Sequence, residues 1–240
     1  MNYLMSKKGK IHLIPSALSE TEIYNTFPEF NTTVINQLKY FIVENVKTSR
    51  RFIRKALPDK NIDELEFFEL NKHTSENDLA DFVLPCLNGN DVGLLSEAGC
   101  PAIADPGARV VAIAHHKDIE VIPLVGASSI ILGLMASGLN GQSFQFHGYL
   151  PKERGKRIKK IKQLEQFAQR QNQTQLFIET PYRNNHLLED LLASCNPTTK
   201  LCIAKDMMGE SQWIKTKKIS DWKKTPLPDL NKIPTVFLIL

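Results

Sequence analysis

The sequence predicts an α/β fold of two α/β domains, an N-terminal parallel sheet with flanking helices and a C-terminal mixed sheet, with a cleft between them. In the first half, short apolar runs alternate with helical segments, a spacing typical of βαβ units and parallel sheets. In the second half, the apolar runs follow one another closely, which favours hairpins. The change falls near residues 123–126, so we predict domains at 1–124 and 125–240.

Composition indicates an ordinary globular protein. Of its 240 residues, 42% are hydrophobic and 23% are charged, which argues against a disordered or fibrous chain, and the net charge of +4 is a mild basic excess. The four cysteines form no CxxC pair, which argues against a zinc site and a disulfide framework and favours a reducing compartment. No targeting signal is visible, and no apolar run approaches the ~18 residues of a membrane span. We therefore expect a cytoplasmic protein with no metal and no membrane partner.

Five strands and four helices are expected in the first domain, separated by proline, glycine and polar residues. Pro15 stops the first strand, Pro58 ends the second helix, and Pro85 should distort the third. The strands are predicted at residues 10–15, 40–44, 66–70, 91–95 and 119–124, and the helices at 32–39, 45–57, 76–87 and 108–116.

The second domain should begin with an almost wholly apolar helix at 130–136, ended by Gly138 and buried. A basic helix beginning at Lys152 is expected next, with an apolar stripe of roughly helical period. This stripe consists of Ile158, Ile161, Leu164 and Phe167. The remaining elements are strands at 144–149, 175–179, 201–205, 212–216 and 235–240 and a helix at 183–193.

The most informative stretch, Val92 to Gly107, is a buried strand that ends in a shaped loop. Polarity changes abruptly at Ser96, and from there Gly99 and Pro101 begin a series of residues that break any strand or helix pattern. In open α/β sheets, ligands lie beyond the carboxyl ends of the strands, where glycine permits close approach of the backbone. The loop is therefore a candidate ligand site. A rigid turn between strand and helix is the alternative, and we give it about equal weight.

A second strand-to-helix loop, at residues 125–129, opens the apolar helix with small residues. The first N–H groups of a helix have no partner within it, and small side chains let a ligand carboxylate or ribose approach them. A tightly packed helix start explains the same residues equally well.

Seven cations lie between Lys152 and Lys162, against the single Glu153. Charge runs are most often solvated helix faces, but the position of this one beside a candidate site favours contact with a phosphate backbone. Both interpretations stay open at even weight. The cations are Lys152, Arg154, Lys156, Arg157, Lys159, Lys160 and Lys162.

Residues 96–107, Ser-Glu-Ala-Gly-Cys-Pro-Ala-Ile-Ala-Asp-Pro-Gly, resemble the S-D-A-G-x-P-x-x-x-D-P-G signature of the tetrapyrrole-methylase-like S-adenosylmethionine methyltransferases. The resemblance is closest to the branch that methylates a cytidine ribose 2′-hydroxyl in small-subunit ribosomal RNA. It covers roughly residues 92–240 well and the first ninety residues poorly. Further matches follow in the family's order at 123–126 (P-L-P-G in the family), 136–139, 146–151 (G-F-L-P), 177–183 (Y-E-S-x-x-R) and 203–205.

The resemblance implies an enzyme that binds S-adenosylmethionine in the cleft between its domains, acts on ribosomal RNA or the small ribosomal subunit, and forms a homodimer. The implied cofactor contacts are Ser96, Glu97, Ala98, Gly99, Pro101, Gly126, Ala127, Ser128, Ser129, Leu150 and Pro151. The implied substrate contacts are Lys152, Arg154, Lys156, Arg157, Lys159 and Arg183.

Four carboxylates are candidate catalytic groups for such a reaction. Methyl transfer from a sulfonium is an in-line displacement, so the protein mainly aligns donor and acceptor and requires no metal. A ribose hydroxyl is a weak acid, and its deprotonation can require a base. The candidates are Glu44, Glu97, Asp105 and Glu179. Each has a structural alternative, since Asp105 suits a turn and Glu179 can pair with Arg183.

The first half of the chain departs from the family pattern. The loop after the first strand, residues 14–20, lacks the family's glycine, residues 44–52 match the family's E-D-T-R-x-T-R-x-L poorly, and Glu97 replaces an aspartate. In this family that half faces the acceptor, so the cofactor is better supported than the substrate. Two further classes therefore compete with a ribosomal RNA methyltransferase: a methyltransferase of a small molecule such as a tetrapyrrole, and a catalytically silent module that binds the cofactor or RNA.

Overall fold

A computed structural model describes residues 7–19, 23–71 and 73–240. The chain divides into two units, Met1–Ala127 (unit 1) and Ser128–Leu240 (unit 2), and each contains one sheet. The domain boundary after residue 124 and the cleft between the domains stay predictions. Within the described residues, no helix is both long and apolar enough to cross a membrane.

Unit 1 contains a five-stranded sheet in the order β3-β2-β4-β1-β5, and every pairing is parallel, as predicted. Its strands are β1 (Lys10–Ile14), β2 (Tyr40–Val43), β3 (Glu66–Glu69), β4 (Val92–Leu95) and β5 (Glu120–Pro123). The central strand β4 is buried on both faces: Leu94 packs in a cluster with Leu79 and Val110, and Leu95 in a cluster with Phe41. A strand covered on both faces has no polar side to alternate with, which is why its sequence is a continuous apolar run.

The helices of unit 1 begin where local capping permits. The N-cap of α2 is Asn45, whose side chain accepts hydrogen bonds from the N–H groups of Lys47 and Thr48, and Ser75 forms a capping box with Asp78 at the start of α3. The α-helices are α1 (Glu29–Gln37), α2 (Val46–Ala56), α3 (Glu76–Phe82), α4 (Leu84–Leu87) and α5 (Gly107–His116), with 3₁₀ turns at Ile23–Asn25 and Ile62–Glu64.

Two predicted helices of unit 1 need correction. The helix predicted at 32–39 begins three residues earlier, at Glu29, directly after Pro28. The helix predicted at 76–87 is two helices, α3 and α4, and Pro85 lies in the first turn of α4. Proline has no N–H to continue the ladder of α3 but is tolerated where a new helix begins, so the distortion predicted for Pro85 is a complete break.

Unit 2 contains a mixed five-stranded sheet in the order β6-β7-β10-β8-β9, which confirms the predicted sheet type. The strands are β6 (Phe144–Tyr149), β7 (Thr174–Ile178), β8 (Lys200–Lys205), β9 (Trp213–Lys218) and β10 (Thr235–Ile239). β6 and β7 are parallel, and the other pairs are antiparallel. The predicted run of hairpins is wrong in one respect, since only β8 and β9 form a hairpin and the last strand inserts between β7 and β8.

Helices pack on this sheet as its apolar side chains require. The largest cluster joins Leu164 and Leu188 of two helices to Phe177, Ile203 and Phe237 of three strands. The helices are α6 (Ser129–Ser137), α7 (Arg154–Gln171), α8 (Asn184–Ser194) and α9 (Ile219–Trp222), with a 3₁₀ turn at Pro181–Arg183. The short helix α9 was not predicted from the sequence.

The apolar helix α6 ends as predicted but is not wholly buried. Gly138 adopts the left-handed conformation with φ of 67°, as a C-cap glycine does. Gly133 and Leu134 are buried, but the side chains of Ile131 and Met135 are 45% and 73% exposed. The sequence is apolar all round, so it did not distinguish the face that packs on the sheet from the face that does not.

The basic helix α7 also departs from its predicted apolar stripe. Ile161 and Leu164 are buried, whereas Phe167 is 47% exposed. The buried face includes Arg157, whose guanidinium pairs with the carboxylate of Asp190 on α8 at 2.6 Å, and both side chains are almost fully buried. An ion pair this deeply buried replaces the hydration of both groups, so removing Asp190 would leave the buried charge of Arg157 uncompensated.

Candidate functional site

The loops that follow β1, β2, β4 and β5 lie at one edge of the parallel sheet of unit 1, because parallel strands end on the same side. We call this the loop edge, formed by residues 15–19, 44–45, 96–106 and 124–127. Ligands of open α/β sheets bind at such an edge. The loop edge contains the predicted cofactor contacts Ser96 to Pro101, Gly126 and Ala127.

A two-way backbone bridge fixes the main loop to the loop after β1. The N–H of Ser16 donates to the carbonyl of Gly99 at 2.8 Å, and the N–H of Gly99 donates back at 3.2 Å. The hydroxyl of Ser16 donates to the carbonyl oxygen of Ser96 at 2.6 Å. The hydroxyl of Ser96 donates to the carbonyl oxygen of Gly99 at 3.0 Å. The bridge therefore uses both serine side chains to shape the loop, and no sequence pattern predicted the role of Ser16.

Two glycines are required by the close packing of these loops. Gly99 has φ of +72°, and a Cβ atom there would lie 3.2 Å from Leu18 Cδ2 and 3.5 Å from the carbonyl oxygen of Ala127. A Cβ atom at Gly126 would lie only 2.3 Å from Cβ of Pro15. A side chain at either position would displace a neighbouring loop, so contacts within unit 1 alone explain the glycines.

Asp105 organises the turn that leads into α5. Its carboxylate accepts hydrogen bonds from the N–H of Ala102 at 3.0 Å and the N–H of Gly107 at 2.7 Å. Two alanines of this turn, Ala102 and Ala104, are in the left-handed region at φ of 67° and 63°. Such backbone is costly for residues other than glycine, and the carboxylate of Asp105 stabilises the turn that contains it.

Three carboxylates gather at the loop edge, and two of them have perturbed acidity. Glu44 accepts a hydrogen bond from the N–H of Glu97 at 3.0 Å, and the hydroxyl of Thr48 donates to the carboxylate of Glu97 at 2.6 Å. Burial raises the pKa of Glu44, and the negative charges of Asp105 and Glu97 raise it further. Burial also raises the pKa of Asp105, against the lowering by its two N–H donors. Two N–H groups donate to the oxygens of Asp105, whereas a single N–H donates to Glu44, so of the two Glu44 is less committed to shaping a turn.

A small cavity opens beside this acidic group. It has a volume of about 120 Å³ and lies between the loops after β1 and β4 and the first turns of α2. Its lining residues are Ser16, Ala17, Thr48, Ser49, Phe52, Leu95, Ser96 and Glu97. Of these, only Ser96 and Glu97 were predicted from the sequence. The position of the others after β1 and β2 was the available signal, because the ends of neighbouring parallel strands meet at one edge.

The remaining predicted cofactor contacts belong to unit 2. Ser128 is the N-cap of α6, and its hydroxyl accepts from the N–H of Ile131 at 3.5 Å, with Ser129 as the first helical residue. Leu150 is buried, and Pro151 follows it at the end of β6. Because the neighbouring strand β7 runs parallel to β6, the predicted residue Glu179 lies at the same edge of this sheet.

Glu179 forms the structural pair that the sequence offered as its alternative role. It is buried and accepts hydrogen bonds from the N–H of Thr180 at 2.6 Å and from the guanidinium of Arg183. Arg183 was predicted as a substrate contact, and its charge is neutralised within the turn. The pair orders the 3₁₀ turn Pro181–Arg183 that follows β7.

The predicted substrate cations divide into paired and unpaired groups. Arg154 pairs with Asp190 at 2.9 Å, Lys156 with Glu153 at 2.8 Å, and Arg157 with Asp190. Arg157 also donates to the carbonyl oxygens of Lys152 at 2.7 Å and Pro151 at 3.4 Å, and these bonds fix the Leu150–Pro151 turn to α7. Lys152 and Lys159 are exposed and form no ion pair within the described part of the chain.

The acidity of Glu44 has a consequence for stability that denaturation can measure. Since the folded pKa lies above the ordinary 4.5, the folded state binds more protons than the unfolded state just above pH 4.5, and the free energy of unfolding falls as pH rises through that window. The variant Glu44→Gln keeps an oxygen for the N–H of Glu97 but cannot titrate. We expect its free energy of unfolding to decrease less between pH 4.5 and 8, so that it is more stable than the wild type at pH 8. Urea denaturation at pH 4.5 and 8 measures the difference. Equal pH dependence in both proteins would contradict the assigned acidity.

Comparison with known proteins finds methyltransferases that are similar to the chain in sequence or in fold. No family model matches the chain. Curated relatives named "Ribosomal RNA small subunit methyltransferase I" do match: the protein of Halalkalibacterium halodurans is 30% identical over 185 residues, covering 77% of this chain and 60% of the relative. The protein of Haemophilus influenzae is 30% identical over 166 residues, covering 69% of this chain and 57% of the relative. The chain thus spans about 60% of the length of the curated relatives it matches.

Solved structures show the fold independently. The methyltransferase CobJ superposes with a TM-score of 0.63 at 15% identity, covering 96% of this chain and 93% of the other. Uroporphyrin-III-C-methyltransferase from Thermus thermophilus superposes with a TM-score of 0.55 at 16% identity, covering 96% and 91%. The chain is therefore similar in sequence to the ribosomal RNA small subunit methyltransferase I proteins over part of their length, and it has the α/β fold of the two methyltransferase structures.

Proposed function

We propose that the chain is an S-adenosylmethionine-dependent methyltransferase that transfers a methyl group to a ribose 2′-hydroxyl of small-subunit ribosomal RNA. The observation that carries the proposal is the 30% identity over 77% of this chain with relatives named as ribosomal RNA small subunit methyltransferases. The signature at residues 96–107 supports the donor, and its resemblance to the 2′-hydroxyl branch supports the acceptor.

The loop edge has the chemistry that this donor requires. When bound, S-adenosylmethionine supplies a methyl group on a positively charged sulfur. Glu97, exposed beside the 120 Å³ cavity, and the half-buried Glu44 offer negative charge, and the bridged loop offers ordered backbone groups. We propose that Ser96 to Pro101, Gly126 and Ala127 of unit 1 bind the donor together with Ser128, Ser129, Leu150 and Pro151 of unit 2.

Glu44 is the proposed base. Its raised pKa makes it a better proton acceptor than an ordinary carboxylate, and the N–H of Glu97 orients one of its oxygens. Asp105 and Glu179 have structural roles in this proposal. Asp105 shapes the turn before α5, and Glu179 orders the turn after β7. The main contribution of the chain is alignment of the acceptor oxygen with the donor.

Charge is distributed unequally between the units in a way that supports an RNA substrate. Unit 1 has 13 Lys and Arg against 17 Asp and Glu, a net charge of −4, whereas unit 2 has 17 against 9, a net charge of +8. The mild basic excess of the whole chain therefore conceals a strongly basic unit. Phosphate backbones bind such surfaces by releasing counterions.

A small-molecule acceptor is the second candidate. The observation in its favour is the altered first half, where residues 14–20 lack the family's glycine and unit 1 is acidic. The experiments below distinguish the two acceptors.

We also propose that the protein is a homodimer located in the cytoplasm. The exposed side chains Ile131 and Met135 of α6 leave apolar surface that a second copy would cover. A cytoplasmic location follows from the ribosomal substrate and from four free cysteines, three of them buried.

Binding of S-adenosylhomocysteine tests the cofactor site. Gly99→Val should abolish binding, because its Cβ would press on Leu18 and the loop cannot retain its left-handed backbone. The wild type should gain ~2.7 kcal/mol of stability at a hundredfold excess over the dissociation constant. Calorimetry and thermal melting measure both quantities.

The matched control is Gly138→Val. Gly138 has a similar φ of +67°, but a Cβ atom there meets no other atom within 4 Å, and it lies outside the loop edge. Gly138→Val should therefore lower the free energy of unfolding about as much as Gly99→Val does, but it should still bind S-adenosylhomocysteine. Equal affinity of the wild type and Gly99→Val, or equal loss in both variants, would show that the main loop does not bind the cofactor.

Methyl incorporation into small ribosomal subunits tests the acceptor. Lys152→Glu, Lys159→Glu and Lys162→Glu together should reduce incorporation at least tenfold, because exposed cations attract phosphates. Affinity for S-adenosylhomocysteine should stay unchanged. Arg157 is omitted since its loss would disturb the Leu150–Pro151 turn.

The control replaces the same three lysines with arginine, which keeps their charge, and it should retain incorporation. Full incorporation by the glutamate variant would remove the charge argument for RNA and favour the small-molecule acceptor.

Light scattering tests the dimer. The wild type should have twice the 27.2 kDa mass of the chain, and Met135→Glu should lower the mass toward that of the monomer. Phe167→Glu, an exposed apolar residue of α7, should leave the mass unchanged. A monomeric wild type at micromolar concentration would refute the proposal.

A further inference from the structure

A second basic surface lies at the far edge of the unit 2 sheet. Strand β9 is the last strand of that sheet, and two further lysines follow the short helix α9 that comes after it. Lys218 lies directly opposite Lys200 of β8 in the strand register, so these two lie on one face of the sheet, whereas Lys215 and Lys217 lie on the other face of the same edge. We call this the β9 surface, and it consists of Lys200, Lys215, Lys217, Lys218, Lys223 and Lys224.

The lysines of the β9 surface are not neutralised by neighbouring carboxylates. None of them forms an ion pair within 4 Å in the described part of the chain, and Asp221 is the single acid between residues 213 and 224. Unit 1 is different, since Lys10 pairs with Glu120 and Lys39 with Glu66. Clustered like charges without partners repel one another, so an anionic partner would relieve a cost that the free protein bears.

The lysines project from a rigid support. Trp222 is buried, and its indole N–H donates to the carbonyl of Leu201 at 2.9 Å, which fixes α9 against the sheet. The ammonium of Lys217 lies 5.2 Å from the centre of the Trp222 ring and 3.2 Å from the hydroxyl of Thr225. Lys223 and Lys224 follow directly after this anchored turn. The backbone that carries these lysines is therefore held in place, and the side chain of Lys217 with it.

Protection of an edge strand accounts for only part of this pattern. Lysines on an edge strand prevent pairing with other chains, and Lys215 and Lys218 would serve that purpose on β9. Lys200 lies on β8, which is paired on both sides, and Lys223 and Lys224 follow a helix. These three contribute nothing to edge protection, and they need another explanation.

We propose that the β9 surface is a second contact for the phosphate backbone of RNA, separate from the cations of α7. The proposal rests on the proposed RNA substrate. α7 packs on β7, which is three strand spacings or about 14 Å from β9 across the sheet. Two surfaces so separated would orient the RNA as well as hold it.

The test compares two triple variants of the full chain. One changes Lys215, Lys218 and Lys224 to Glu, and the control changes Lys7, Lys8 and Lys117 to Glu. The control residues are exposed and lie beside the amino ends of β1 and β5, opposite the loop edge. Both variants change the net charge by −6, so a difference between them reports a local contact.

Affinity for purified small ribosomal subunits is measured over a series of KCl concentrations. The β9 variant should bind at least tenfold more weakly than the control at low salt, with a salt slope flattened by ~0.7–0.9 for each lost contact. Its affinity for S-adenosylhomocysteine should be that of the wild type.

Several outcomes would overturn the proposal. Equal RNA affinity and slope in both variants would do so, and so would aggregation of the β9 variant with an unchanged slope in its soluble fraction, which is the result of edge protection alone. Loss of binding to anionic lipid vesicles with unchanged RNA binding would assign the surface to a membrane instead. If the wild type binds RNA through this surface but transfers no methyl group, the proposed function fails and the surface stands.

Discussion

The backbone bridge between Ser16 and Gly99 is the contact on which the candidate site depends. It joins the loop after β1 to the loop after β4, and these strands are neighbours in the sheet. Each hydrogen bond contributes only about 1 kcal/mol net, but the left-handed backbone of Gly99 permits both together. The tight contact of Gly126 with Pro15 then packs the loop after β5 against the loop after β1. The loop edge, where the proposed donor site lies, is thus built from the ends of three strands.

The bridge also places the acidic group. Because the main loop is held, the N–H of Glu97 points to Glu44, and Asp105 closes the turn before α5. The net charge is −4 in unit 1 and +8 in unit 2. The basic unit 2 favours the proposed polyanionic substrate. In unit 2, the buried Arg157–Asp190 pair supports the turn predicted to contact the donor. Arg157, one of the predicted substrate cations, therefore has a structural role.

The sequence predicted the features that depend on local patterns. Apolar runs located the strands, and the signature at 96–107 located the main loop, because both are set by residues close together in the chain. Features that depend on distant contacts were missed. Seven similar cations did not indicate that Arg157 is the one that is buried, against a carboxylate 33 residues away. The roles of Ser16 and Thr48 arise only when strand ends meet, and the insertion of β10 between β7 and β8 is a matter of topology.

The central claim is methylation of a ribose in small-subunit ribosomal RNA. The most direct test incubates the purified chain with methyl-labelled S-adenosylmethionine and small ribosomal subunits that lack the modification, then digests the RNA with alkali. A methyl group on the 2′-oxygen blocks cleavage of the adjacent phosphodiester, so we predict labelled, alkali-resistant dinucleotides. Label in alkali-sensitive mononucleotides, or no label in RNA while the chain methylates a small molecule, would contradict the account.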